Sequence, residues 1–276
     1  MGVFRKNLIT NDWVMFAPNR SARPVELGGK KDADQLDELL ARPEYKESCP
    51  FCPGNEKPED HEPFRIGSDE HWDVRVLENK YASLDRHTHP EVVHDGLHEE
   101  MQGFGVHDVI IDTRRHNAST ALLSQSEAEH LTSAYREHFN TVAAREHIEH
   151  VVLFKNQGFK AGGSLEHPHS QLYGMPVVPF EAQVRRIETQ KYYEKNQSCL
   201  LGDMMKQELS VGDRILYEND AFVSWVPYAA LSPYHIWIVP KRQVSSFGNA
   251  TDQELSALAD MLRHTFHMSF HALRNM

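Results

Sequence analysis

Two stretches of this chain run through the same order of elements, and that repeat limits the folds open to it. A strand-like run, His107–Asp112, leads through a short loop to a capping-box signature, Ser126-x-x-Glu129. An amphipathic helix follows, with Leu131, Tyr135, Phe139 and Val142 spaced three and four residues apart. Later, His235–Pro240 leads to Thr251-x-x-Glu254 and a helix with Leu255, Leu258, Leu262, Phe266 and Phe270 on one face. A repeat of this kind implies two like units. The expected class is therefore α+β, two repeated halves of antiparallel sheet plus helix, the first over residues 1–180 and the second over 181–276. In the first copy the helix is followed by two more strands. In the second the helix runs to Arg274 and the sequence ends at Met276. The second half is accordingly expected to be incomplete, as in a truncated chain.

The chemistry concentrates in Gly162-Gly163-Ser164-Leu165-Glu166-His167-Pro168-His169-Ser170-Gln171. The pattern is strand, glycine-rich loop, strand. Side chains alternate along a strand, so His167, His169 and Gln171 are expected on one face of the second one. Three polar groups on a face of an otherwise apolar strand are costly unless they find partners. A phosphate site with a histidine nucleophile supplies them. Upstream, Arg20 and Arg23 sit three apart in a Pro-flanked turn. Their forked donors suit a phosphate or sugar clamp.

Cys49-Pro50-Phe51-Cys52-Pro53-Gly54 is a C-x-x-C knuckle. A redox C-x-x-C opens a helix, which Pro53-Gly54 opposes, so a metal is the better reading. Two cysteines need two more ligands. His116, at the end of a strand, and His167 are the candidates, giving a closed Cys2His2 set of structural zinc type. Such a site staples the N-terminal knuckle to the strand that holds His169. With only three cysteines in 276 residues, a disulfide scaffold is excluded and a reducing cytoplasm fits. A net charge of −11 argues against nucleic acid as partner, and no run of 18 apolar residues is available to span a membrane. The first residues carry no apolar signal-peptide core. Residues 26–46 read as a mobile excursion, and His87–Glu100 reads as a loop.

These residues together resemble the galactose-1-phosphate uridylyltransferases of the histidine-triad superfamily. The likeness is carried by Asn19-Arg20-x-x-Arg23-Pro24, Cys49-Pro50-Phe51-Cys52, Asn156-x-Gly158, Gly162-Gly163-Ser164 and His167-Pro168-His169-x-Gln171. It is especially close to the plant-type ADP-glucose phosphorylase branch, at GFGVHDVII and HIWIVPK. The resemblance implies a histidine-triad-like fold and a cytoplasmic homodimer acting on a nucleotide sugar and a sugar phosphate. It implies that His169 is the nucleophile and that Gln171 hydrogen-bonds the phosphoryl oxygens. Ser164, Gly162 and Gly163 match the phosphate loop. Asn79 and Asn156 match nucleotide-site residues, and Arg20 and Arg23 face the substrate phosphates. Cys49, Cys52, His116 and His167 match the zinc ligands. Cys199 has no cysteine partner nearby and Gln243 stands where a histidine often follows, so a second zinc seen in the plant branch looks lost.

The activity this implies is UDP-glucose--hexose-1-phosphate uridylyl transfer through a covalent nucleotidyl-histidine. The alternatives are phosphorolysis of ADP-glucose or a dinucleoside polyphosphate by the same nucleophile, and a non-catalytic zinc-stabilised nucleotide-binding module.

Overall fold

The computed structural model describes residues 3–16 and 32–274. In chain order the strands and helices are β1 (Val3–Lys6), β2 (Trp13–Phe16), α1 (Asp32–Ala41), β3 (Phe64–Gly67), β4 (Trp72–Glu78), β5 (Val92–Asp95), β6 (His98–Met101), β7 (Val106–Ile111), α2 (Gln125–Ala143), β8 (His150–Phe154), β9 (His169–Met175), α3 (Phe180–Asn196), α4 (Leu200–Val211), β10 (Ile215–Glu218), β11 (Phe222–Trp225), β12 (Trp237–Pro240) and α5 (Asp252–Arg274).

The main sheet has the order β3-β4-β7-β9-β8 and is antiparallel throughout. Its β7 is buried on both faces, consistent with its uninterrupted apolar run Val109, Ile110, Ile111. On one face Val74, Val76, Val106, Ile110 and Leu172 pack against Ala128, Leu131, Tyr135 and Val142 of α2. Burying Leu131 and Leu172 each removes apolar surface worth roughly 2 kcal/mol. The other face of β9 carries His169, Gln171 and Tyr173, the odd positions of the strand. The repeat is visible as a second antiparallel meander, β10-β11-β12, which packs on α5 as the main sheet packs on α2. The two helices also pack against each other.

Several local expectations change. The first capping box is Ser124 with Glu127, two residues earlier than expected. Glu129 instead accepts hydrogen bonds from Gln125 and from Ser256 of α5. The second box, Thr251 with Glu254, is formed where expected. Phe266 is 46 % exposed, because α5 turns Leu255, Ala259, Met261, Thr265 and Phe270 inward instead. The stretch His87–Glu100 contains the hairpin strand β5 and most of β6, whose alternation is masked by exposure on both faces. Within the expected excursion, α1 docks on α5 with Leu39 buried. A further helix, α4, follows α3 and packs on it.

Candidate active site and metal centre

His169 opens β9 and is buried. Its Nδ1 lies 2.8 Å from the backbone carbonyl oxygen of His167. A carbonyl only accepts, so the proton sits on Nδ1 and Nε2 keeps its lone pair. Phe51 of the cysteine knuckle stands edge-on to this ring, centroids 5.6 Å apart, and to His167 at 6.1 Å.

A cavity of about 250 Å³ adjoins the ring, lined by Lys155, Asn156, Gly163, Ser164 and His169 among others. Larger clefts of about 400 and 1020 Å³ lie in or beside the second half. Neither touches His169, and the chemistry selects the smaller one. Its loop needs glycine. Gly162 has φ +85°, and a Cβ on Gly163 would meet the Asn156 carbonyl oxygen at 2.9 Å. The amide of Gly163 donates to the carbonyl of Gly158 at 3.0 Å, closing the loop.

Cys49, Cys52, His116 and His167 are all buried, and one ligand atom from each lies within 4.8 Å of the others. His167 is therefore not a side chain of the β9 face. The chain reaches it one residue before Pro168, ahead of the strand, and its Nδ1 points into the cluster. The Nδ1 of His167 is 3.7 Å from Cys49 Sγ and 3.6 Å from Cys52 Sγ; His116 Nδ1 is 3.5 Å from Cys52 Sγ. A tetrahedral ion with Zn–S and Zn–N type bond lengths has N···S edges of about 3.6 Å. The donor set thus fits a tetrahedral metal ion. The outer nitrogens are held as well. His167 Nε2 donates to the Thr113 carbonyl (2.8 Å), and His116 Nε2 faces Glu166 Oε2 (3.3 Å). These contacts leave Nδ1 of His167 as the ligating lone pair. Burial pushes the Cys52 thiol up to about 11 and holds the His167 imidazole down to about 4. A neutral imidazole is what a metal requires, and a dication offsets the cost of a buried thiolate. Among the described residues this is the one His/Cys/Asp/Glu group close enough to hold an ion. Beside Cys199, the Gln243 amide lies 2.7 Å from where a Cβ on Gly202 would be.

The remaining expected residues divide. Gln171 follows His169 on the same strand face. Asn79 lies at the end of β4, its Oδ1 accepting from the Tyr81 amide (2.8 Å). Asn156 and Ser164 line the cavity. Arg20 and Arg23 fall outside the described residues. Sequence reasoning missed Lys155 and Asp112. Lys155 Nζ pairs with the buried Asp112 carboxylate at 2.6 Å, whose other oxygen accepts from Ser170 Oγ at 2.8 Å. The Asp112 amide donates to the Pro168 carbonyl (3.2 Å). Both chain neighbours of His169 are thereby tied to one aspartate. Burial and the nearby Asp112 charge raise the Tyr135 phenol, whose hydroxyl is 2.5 Å from Ser170 Oγ. The available signal was Asp112 itself, a carboxylate ending an apolar strand.

A buried histidine with a carbonyl at Nδ1, beside a glycine-rich cavity and a buried Cys2His2 cluster, is an arrangement suited to nucleotidyl transfer. The comparisons agree. The family models for galactose-1-phosphate uridyl transferase match residues 3–179 (N-terminal domain) and 186–268 (C-terminal domain). The ADP-glucose phosphorylase of Arabidopsis thaliana is 34% identical over 266 residues, covering 94% of this chain and 71% of the relative. The crystal structure of an ADP-glucose phosphorylase from Arabidopsis thaliana with bound ADP-glucose superposes with a TM-score of 0.78 at 31% identity, covering 95% of this chain and 75% of that one. The galactose-1-phosphate uridylyltransferase of Thermotoga maritima is 26% identical over 261 residues, covering 94% of this chain and 73% of the relative. The chain belongs to the galactose-1-phosphate uridylyltransferase family. No helix among the described residues is long and apolar enough to cross a membrane.

Proposed function

We propose that this protein moves a nucleoside monophosphate from a nucleotide sugar to a phosphate-bearing acceptor, with His169 as the covalent carrier. The observation that carries the reading is the Nδ1–H of His169 directed at the His167 carbonyl, which leaves Nε2 free. Nε2 attacks the α-phosphorus; a P–N bond forms as the P–O bond to the sugar phosphate breaks. The leaving group is a phosphate with a second pKa of about 6, so it departs without a proton donor. An oxygen of the acceptor phosphate then attacks phosphorus, the P–N bond breaks and the lone pair returns to Nε2. The proton on Nδ1 stays throughout.

Phosphoryl transfer is mostly positioning and charge neutralisation. In this reading the Gly162, Gly163 and Ser164 loop, Arg20 and Arg23 receive phosphate oxygens, and Gln171 donates to the transferred group. Asn79 and Asn156 hold the nucleoside. Cys49, Cys52, His116 and His167 hold zinc, which cross-links the knuckle to the residue whose carbonyl orients His169. The protein acts as a homodimer in the cytoplasm, a compartment that suits its three free cysteines.

Uridylyl and adenylyl transfer share this machinery. The uridylyl form, UDP-glucose with a hexose 1-phosphate, is the family's named activity. The adenylyl form, phosphorolysis of ADP-glucose, is favoured by the higher identity to the plant phosphorylase, 34% against 26%. One experiment addresses both. The protein is mixed with UDP-glucose or ADP-glucose labelled at the α-phosphate, quenched, and assayed for acid-labile label. Label is expected from one donor, and His169→Ala is expected to abolish it while leaving the circular dichroism unchanged. Label that persists in His169→Ala, or none from either donor, overturns the proposal.

A further inference from the structure

His107 belongs to neither the phosphate loop nor the metal cluster, yet it is buried at 6 % exposure beside Gln171. It lies on β7, directly across from Tyr173 of β9, and its ring stacks on Tyr173 with centroids 4.1 Å apart and planes at 24°. Its two nitrogens have different neighbours. The backbone N–H of Ser83 donates to Nδ1 at 3.1 Å. Nε2 lies 2.8 Å from Gln171 Oε1.

A backbone amide can only donate, so Nδ1 must be an acceptor and carries no proton. The neutral ring then has its single hydrogen on Nε2, where it donates to Gln171 Oε1. A side-chain amide can be turned end for end at little cost in shape, and its neighbours decide which end points where. Here the oxygen end of Gln171 is spoken for, and the NH2 end is left for a ligand. Asn79 Nδ2 is also 2.9 Å from His107 Nε2. Two donors cannot bond each other, and Asn79 Oδ1 is held by the Tyr81 amide, so the Asn79 hydrogens remain for a ligand as well.

We infer that His107 is a positioning residue. Through its Nε2–H tautomer, set by the Ser83 amide, it locks Gln171 with its amide hydrogens toward the transferred phosphoryl group. The inference rests on the nucleotidyl-transfer reading for its consequence, while the tautomer itself does not. A glutamine free to turn would present its oxygen to a phosphoryl oxygen part of the time, which is repulsive. Locking it removes that orientation before the substrate arrives, so the effect falls on the transfer step more than on binding.

Two measurements test this. In the first, the ring nitrogens of His107 are read by 15N NMR on the whole protein. A pyrrole-like Nε2 and a pyridine-like Nδ1 are expected, and the reverse assignment overturns the inference whatever the protein's activity. In the second, single-turnover labelling of His169 is followed in variants. His107→Asn keeps a short polar group near Ser83 but cannot reach Gln171. It is expected to slow nucleotidyl transfer by at least about tenfold, with donor affinity changed by less than about threefold. His107→Gln places an amide NH2 where Nε2–H was and is expected to stay within about threefold of wild type. On a Gln171→Ala background, His107→Asn should cost nothing further. Equal impairment of His107→Asn and His107→Gln, or a His107→Asn effect that adds fully to Gln171→Ala, overturns the inference. A wild-type protein that takes no label at all instead sinks the transfer reading, and the NMR result then decides the His107–Gln171 lock by itself.

Discussion

The two halves of the molecule share a scaffold and differ in what hangs from it. In each, an antiparallel meander leads to a capping box that opens a long helix. Each box glutamate is gripped by an arginine twelve residues earlier: Arg115 Nε to Glu127 at 2.9 Å, Arg242 Nε to Glu254 at 2.6 Å. Each arginine also donates to a carbonyl just before the box, Leu122 in one half and Asn249 in the other. Beyond this point the halves part. Past β7 the first sheet adds β9 and β8, with the glycine loop between them, and His169, Gln171, Asn156 and Ser164 lie on these strands or in the segment that joins them. Past β12 no further strand is seen among the described residues. His235, just ahead of β12, has both ring nitrogens facing N–H groups, Leu231 N and Trp237 Nε1, each at 3.0 Å. His169 has a carbonyl at one nitrogen and a cavity beside it. The repeated part of the chain therefore forms the shared scaffold, and the unrepeated strands hold the residues to which the proposed reaction assigns the transfer.

The metal cluster belongs wholly to the first half, so its removal should separate the two most sharply. Purified protein is expected to contain one zinc per chain by elemental analysis. Stripping it with a chelator, or Cys52→Ser, should lower stability by at least about 3 kcal/mol in thermal unfolding. It should also suppress labelling of His169, because the carbonyl that accepts from its Nδ1 belongs to His167 of the cluster. A protein free of metal as isolated, or one whose melting ignores chelation, contradicts the staple.

A smaller effect probes how the halves are joined. Thr132 Oγ1 donates to the Leu255 carbonyl (3.1 Å) and Arg263 Nε to the Leu123 carbonyl (2.8 Å), so α2 and α5 share polar as well as apolar contacts. Leu131 and Leu255 are 1 % and 2 % exposed. Leu131→Ala and Leu255→Ala should each cost about 3 kcal/mol, and both should shift a single unfolding transition. Two separate transitions, each moved by one variant only, would show the halves to be independent.

How much of this was readable beforehand depends on the range of the interaction. The Cys49/Cys52 knuckle, the glycine loop and the strand holding His169 and Gln171 are local patterns, and their residues come together as spacing suggested. His116 and His167 could be picked from eighteen histidines because one ends a strand and the other opens the His-x-His motif. His107 and Lys155 were not reachable. Gln171 lies on β9, next to the β7 of His107, and Lys155 reaches from the end of β8 past β9 to Asp112 at the end of β7; register across a sheet is not written in any one strand. His167 was misplaced for a local reason: its alternation with His169 suggested a common face, but β9 begins only after Pro168. The first capping box was displaced because Ser124 and Ser126 each precede a glutamate by three. Tertiary partners separate the two choices: Arg115 reaches Glu127, while Ser256 of α5 takes up Glu129.

The caps give the smallest test and the closest comparison, since both halves use the same device. Ser124→Ala and Thr251→Ala remove the hydroxyls that accept the Glu127 and Glu254 amides (each 3.2 Å), at a cost of about 1 kcal/mol apiece. Both glutamates should also make stability depend on pH, in the same direction. The Arg242 and Thr251 hydrogen bonds hold Glu254 down from the ordinary 4.5 to about 2. Burial raises Glu127, but the Arg115 and Ser124 bonds outweigh it and its pKa is also lowered. A depressed carboxylate favours the native state above its unfolded-state pKa and loses that advantage as pH falls through its native one. The stability gap between wild type and Glu254→Gln should therefore be full above about pH 4.5 and close on acidification toward pH 2. Glu127→Gln should show a gap of the same sign that also closes in acid. Denaturant melts at a series of pH values measure both. A gap for Glu254→Gln that is flat from pH 7 to 3 would mean that Arg242, half exposed, is screened by solvent. The Arg242–Glu254 clamp would then add little to the stability of the second half.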